Sequence, residues 1–268
     1  MVCFHGLGAS LYAWRKNLAP LAAAGYRVIA FDNRGFGFSE KPETGYDNES
    51  YVRLAVALLD SLHVSDAVLV GHSMGGAIAA QVAVEHPERV RGLVLISSAG
   101  LASDPPVMRL GRWPVIGPLV LSLQGRALTE RLLKSTYADP SKVSAADVDQ
   151  YYAPLPESNY GRAFGRVLTE FRFDWLASGN RLEHVAAPTL VLWGEEDRWI
   201  PIELGRRLAE AMPHAAFLSV PGAGHSVQEE APDEVNRLLI RFLKDGLARV
   251  PADLARAPDA PRLSSTVR

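Results

Sequence analysis

Short apolar runs alternate with amphipathic stretches along most of the chain. Val2-Cys3-Phe4, residues 27–31 ("RVIAF"), 66–70, 92–96 ("GLVLI"), 189–193 ("TLVLW") and 216–220 are compact and rich in aliphatic and β-branched side chains. Such runs read as strands buried on both faces. Between them, apolar positions recur at helical spacing: Val52, Val56, Leu59 and Leu62, then Leu204, Leu208 and Met212, then Val235, Leu238, Leu239 and Phe242. Residues 12–24 are helical in character, with a break expected at Pro20. Gly35, Gly37, Pro42 and Gly45 make 32–48 a loop. The alternation predicts an α/β fold, a mostly parallel sheet with helices on both faces.

Residues 100–184 break the rhythm. Pro105, Pro106, Pro114, Pro118, Pro140, Pro154 and Pro156 punctuate apolar helical pieces around 117–134 and 163–177. This predicts a core from 1–99 and 185–246, a helical lid at 100–184, and a loose tail at 247–268. No internal repeat is present.

With 268 residues, 48% of them hydrophobic, the chain can bury a sizeable core. A net charge of −2 gives no basic excess, so nucleic acid is not expected as a partner. No apolar run reaches the roughly 18–20 residues of an integral membrane segment. The single cysteine, Cys3, excludes an internal disulfide and fits a reducing, cytoplasmic setting. Residues 2–5 read as core strand, and not as a signal peptide. Neither CxxC nor HExxH occurs, so no metal site is expected.

Residues 71–76 read "GHSMGG", between the apolar 67–70 and Ala77-Ile78-Ala79-Ala80. A strand, a sharp turn carrying G-x-S-x-G and a helix form a nucleophile elbow. Ser73 would sit strained at the turn, and its neighbours two residues away would come too close for a Cβ, hence Gly71 and Gly75. The N–H of Met74 would point into the site at the helix N-terminus. A tight turn capped by serine is the bland alternative; the flanking strand and helix favour the elbow.

A serine hydroxyl needs a base. Of seven histidines, His225 stands apart, in the glycine-rich loop Pro221-Gly222-Ala223-Gly224-His225-Ser226 after the last strand. A carboxylate would orient it. Asp197 follows strand 189–193 directly, with Glu195 and Glu196 as rivals that look like the solvated part of that turn.

Together these residues resemble the α/β-hydrolase superfamily from Val2 to about residue 245, apart from the inserted segment. The order Ser73, Asp197, His225 is that family's chain order. "HGLGAS" at 5–10 resembles its oxyanion loop and "DNRGFGFSEKP" at 32–42 its DxRGxGxS loop; "HPERVRGLVLI" at 86–96 and "GAGHSVQEEAP" at 222–232 also match. The resemblance implies Ser73 as nucleophile, His225 as base, Asp197 as its orienter, and the backbone N–H groups of Leu7 and Met74 as an oxyanion hole. It gives His5 a structural role, makes Asp32 and Arg34 a brace, and calls for no cofactor. Relatives that place the acid one strand earlier are not matched, because Ile96-Ser97-Ser98-Ala99 holds no carboxylate. The family usually opens with two antiparallel strands, about thirty residues by analogy. These would precede Met1, so 27–31 is expected at an open sheet edge.

Serine at the elbow suits attack on a carbonyl, whereas relatives that open epoxides or remove halide use aspartate. The expected activity is hydrolysis of a small-molecule carboxylic ester through an acyl-enzyme. Carbon–carbon bond hydrolases of aromatic breakdown share the triad and Ser-Met-Gly-Gly, though their oxyanion loop tends to be longer. Cofactor-free perhydrolases and a hydrolase-like ligand receptor are further alternatives. Val107, Met108, Leu110, Trp113, Ile116, Leu119, Phe164, Phe171 and Trp175 each read singly as packing the lid onto the body, and together predict an apolar acyl pocket under it. Arg109, Arg112, Arg126 and Arg131 are candidate contacts for an acidic substrate, although scattered arginines usually face water. The sequence leaves the oligomeric state open.

Overall fold

The computed structural model describes residues 1–101, 125–177 and 181–246. Val107, Met108, Leu110, Trp113, Ile116 and Leu119, with Arg109, Arg112 and the expected tail, lie outside the described residues.

Six strands form one parallel sheet: β1 (Val2–Phe4), β2 (Ile29–Ala30), β3 (Ala67–His72), β4 (Val90–Ile96), β5 (Thr189–Gly194) and β6 (Ala215–Val220), in the order β2-β1-β3-β4-β5-β6. Alternation along each strand sends side chains to two separate cores. Leu69, Leu93, Leu95 and Val191 pack on one face, beneath α2 (Asn48–Ser61), α3 (Met74–Glu85) and α7 (Ile202–Glu210). Val68, Val70, Val94 and Leu190 pack on the other, against α1 (Arg15–Ala23) and α9 (Pro232–Arg241). Register pairs Phe4 with Gly71 and His72 with Ile96, so the strands end along one edge. In open parallel sheets, ligands bind beyond that edge.

Pro20 does not break its helix: α1 runs through it to Ala23. Proline cannot supply the N–H that Lys16 O would accept four residues back. Asn236 Nδ2 donates to Lys16 O instead, at 3.0 Å, so the missing bond is replaced across a helix–helix contact. β2 is shorter than the apolar run at 27–31 and is the outermost strand; among the described residues it pairs only with β1.

Between β4 and β5 lie α4 (Arg126–Ser135), α5 (Ala145–Tyr152) and α6 (Tyr160–Glu170). α8 (Val227–Glu230) is a short turn before α9. Among the described residues no helix is long and apolar enough to cross a membrane, and no cluster of His, Cys, Asp or Glu could hold a metal ion.

Candidate active site

Ser73 joins β3 to α3 at φ 52°, ψ −119°. A non-glycine residue in such a region costs about 1–3 kcal/mol and persists only when its surroundings impose it. Here they do: Ser73 N–H donates to Ile96 O and Ala99 N–H donates to Ser73 O, both at 3.0 Å. The turn can close this tightly because its neighbours lack side chains. A Cβ on Gly71 would meet Gly75 O at 2.3 Å, and one on Gly75 would meet Phe4 O at 2.3 Å. Backbone cannot move aside there. Gly75→Ala is therefore expected to destabilise the protein by about 3 kcal/mol, read as a lower urea midpoint with an unchanged m-value.

Beyond β1, residues 6–9 pass beside Ser73. A Cβ on Gly6 would lie 3.1 Å from that of Ser73. His5 is buried; Asn33 N–H donates to its Nε2 at 2.9 Å, so Nδ1–H faces Gly6 O at 2.8 Å. Burial holds its pKa below the ordinary value. The ring thus ties the 6–9 turn to the loop at 32–39. In that loop Asp32 accepts from Leu11 N–H at 2.7 Å and Phe38 N–H at 2.8 Å. Arg34 accepts the Tyr51 hydroxyl through its carbonyl. Among the described residues the N–H groups of Leu7 and Met74 have no hydrogen-bond partner.

His225 Nδ1 donates to Asp197 Oδ2 at 2.9 Å, with side-chain exposures of 6% and 0%. The other carboxylate oxygen accepts from Trp199 N–H and Ile200 N–H at 2.8 and 2.9 Å. Burial alone would raise the Asp197 pKa; the attraction of His225 and these hydrogen bonds outweigh it and hold it below the usual carboxylate range. Glu195 and Glu196 are exposed, and Glu195 accepts Ser219 Oγ. Two loops far apart in sequence meet here because Gly194 carries no side chain: a Cβ would strike Gly224 O at 2.1 Å. Trp199 stacks on the His225 ring, centroids 5.9 Å apart.

His72, beside Ser73, has its ring 4.9 Å from that of His225 and gives Nε2–H to His225 O at 3.0 Å. Its Nδ1 is buried without a partner. Burial, then the neighbouring His225, pushes its pKa down to about 3. A histidine with a folded pKa below its unfolded one binds more protons when unfolded, so stability falls as pH drops from about 6.5 toward 3, by up to about 1.4 kcal/mol per pH unit. His5 acts with the same sign. Urea melts between pH 7 and 4.5 are expected to show this slope, and His72→Asn to flatten it.

Ser73, His72, His225 and Leu7 line one cavity of about 170 Å³. Ser73 Oγ and the imidazole share its wall without a direct hydrogen bond. Asp197 sits behind His225, and the Met74 side chain is buried in the core, leaving only its backbone at the turn. The opposite wall comes from α4–α6 and the turn after α5: Leu128, Leu132, Leu133, Leu155, Tyr160 and Phe164. The apolar pocket expected from the aromatic residues thus draws only Phe164 from the described members of that set. Phe171 and Trp175 are buried in the core instead, where Phe171 meets the Tyr51 ring of α2 edge-on, centroids 5.7 Å apart. Among the described residues no lysine or arginine lines the cavity. Arg126 pairs with Asp149 and Arg131 is exposed; neither lines the cavity.

The sequence reading missed Trp199, Gly194 and Glu230. A glycine directly after a strand, as at 194, is the signal that would have marked the loop contact.

A family model described as alpha/beta hydrolase fold matches residues 1–232. The chain is 33% identical over 248 residues to an uncharacterised hydrolase, YugF, of Bacillus subtilis, covering 91% of this chain and 89% of that one. It is 32% identical over 255 residues to a 2-hydroxy-6-oxononadienedioate/2-hydroxy-6-oxononatrienedioate hydrolase of Burkholderia vietnamiensis, with coverage of 91% and 86%. Among solved structures, a meta-cleavage product hydrolase from Pseudomonas fluorescens IP01 (CumD) superposes with a TM-score of 0.79 at 28% identity, covering 91% of this chain and 90% of that one.

Proposed function

The chain belongs to the alpha/beta hydrolase fold family, and from that premise we propose that it is a serine hydrolase of uncharged carboxylic esters. Ser73 Oγ attacks the ester carbonyl while His225 Nε2 takes its proton. The backbone N–H groups of Leu7 and Met74 receive the developing oxyanion. His225 returns the proton to the departing alcohol, leaving an acyl group on Ser73. Water, deprotonated by the same imidazole, then releases the acid. The observation that carries this reading is the His225–Asp197 hydrogen bond standing behind a cavity that also holds the strained Ser73. Helices α4–α6 act as a lid whose leucines receive the acyl chain. The absence of a cation among the described lining residues supports neutral acyl groups.

A second reading is hydrolysis of a carbon–carbon bond beside a ketone in ring-fission products, which the named activity of several relatives favours. It uses the same serine and differs in the anionic substrate. A panel of p-nitrophenyl esters from acetate to decanoate, run beside 2-hydroxy-6-oxo-6-phenylhexa-2,4-dienoate, separates the two. Turnover confined to the dienoate would overturn the ester assignment.

A further inference from the structure

Glu230 closes α8, five residues after His225, and its carboxylate is buried completely. Three backbone N–H groups donate to it: Gly224 at 2.7 Å, Ala138 at 2.9 Å and Asp139 at 2.8 Å. Among the described residues its nearest cation is Lys142, with Nζ 3.8 Å away. A buried charge is tolerated only when its oxygens are satisfied, and hydrogen bonds to an ionised acceptor are stronger than neutral ones. The first donor precedes His225; the other two belong to the chain leaving α4.

That chain touches the His225 surroundings repeatedly. Ser226 N–H donates to Thr136 O at 3.0 Å, and Ser226 Oγ to Thr136 Oγ1 at 2.9 Å. Trp199 Nε1, on the ring stacked against His225, donates to Ser135 O at 3.1 Å. The approach is close enough that a Cβ on Gly224 would meet Ala138 N at 2.6 Å. Residues 135–139 therefore hold the imidazole loop on both flanks, and Glu230 is the charged centre of the grip.

We infer that Glu230 is a positioning residue for His225, fixing the imidazole loop to residues 136–139 so that the base is seated only while that segment is docked. The inference rests on the serine-hydrolase reading above. Glu230 is absent from the cavity lining, so its removal should spare substrate binding and lower turnover. A displacement of about 1 Å in a reacting group costs up to about 100-fold.

The test measures kcat and KM on p-nitrophenyl butyrate for Glu230→Ala, Glu230→Gln and Ser73→Ala. Glu230→Ala is expected to lose about 100-fold in kcat with KM held within about threefold. Glu230→Gln should lose about tenfold, because its one remaining acceptor oxygen can keep the Gly224 and Ala138 bonds. Should the alanine variant not fold, the glutamine variant carries the same test. Native kcat in the folded variants, or a raised KM with kcat intact, would overturn the positioning role. Activity surviving in Ser73→Ala would instead sink the reading beneath it.

Discussion

Replacing Ser73 with alanine is expected to lower ester turnover by about 10⁶-fold, the loss typical when a triad nucleophile is removed. The fold should survive, because alanine keeps a Cβ and the backbone bonds to Ile96 and from Ala99 need no side chain. Ser73→Gly should go further and gain about 1 kcal/mol, since glycine adopts a positive φ without steric cost. An inactive variant that melts later than the native enzyme would show that the turn is strained in order to present a hydroxyl. Single-turnover assays with urea melts on both variants decide it. Alanine at wild-type kcat would remove Ser73 from the chemistry.

Asp197→Asn is expected to cost about 10⁴-fold in kcat. The asparagine oxygen can still accept from Trp199 and Ile200 N–H, which leaves its NH₂ facing His225 Nδ1. That nitrogen must then accept, so the proton moves to Nε2, where the proposed mechanism needs a lone pair to deprotonate Ser73. KM should change little, because Asp197 is not part of the cavity lining. Retention of more than about a tenth of kcat would exclude Asp197 as the orienting group. The substitution also bears on acid stability. The Asp197 pKa is depressed in the fold, so its contribution is present above the unfolded carboxylate pKa and is lost as pH falls through the folded one. Asp197→Asn should remove that component.

The sheet was legible in the sequence because a strand buried on both faces must be apolar throughout. The runs at 66–70, 92–96 and 189–193 lie within or beside β3, β4 and β5. The elbow was legible for a related reason: backbone–backbone contact leaves no residue but glycine at 71 and 75. Pro20 misled, because the group replacing its missing donor is Asn236, more than two hundred residues away. The pocket was only partly legible for a similar cause. Apolarity marks Phe164, Phe171 and Trp175 alike, and only tertiary packing decides which of them lines the cavity. Nothing in the sequence singled out Glu230, because its donors come from residues 138–139 and 224, a meeting that helical spacing does not encode.

The row of side-chain-free contacts at 71, 75 and 194 also divides the molecule into two kinds of territory. Behind the cavity, at these glycines, main chain rests on main chain, and no side chain can be added there without prising those contacts apart. Overhead, the walls are leucine, tyrosine and phenylalanine from separate helices, each replaceable by a neighbour in size. A changed appetite for substrates would therefore be written in the roof, over a foundation that stays the same.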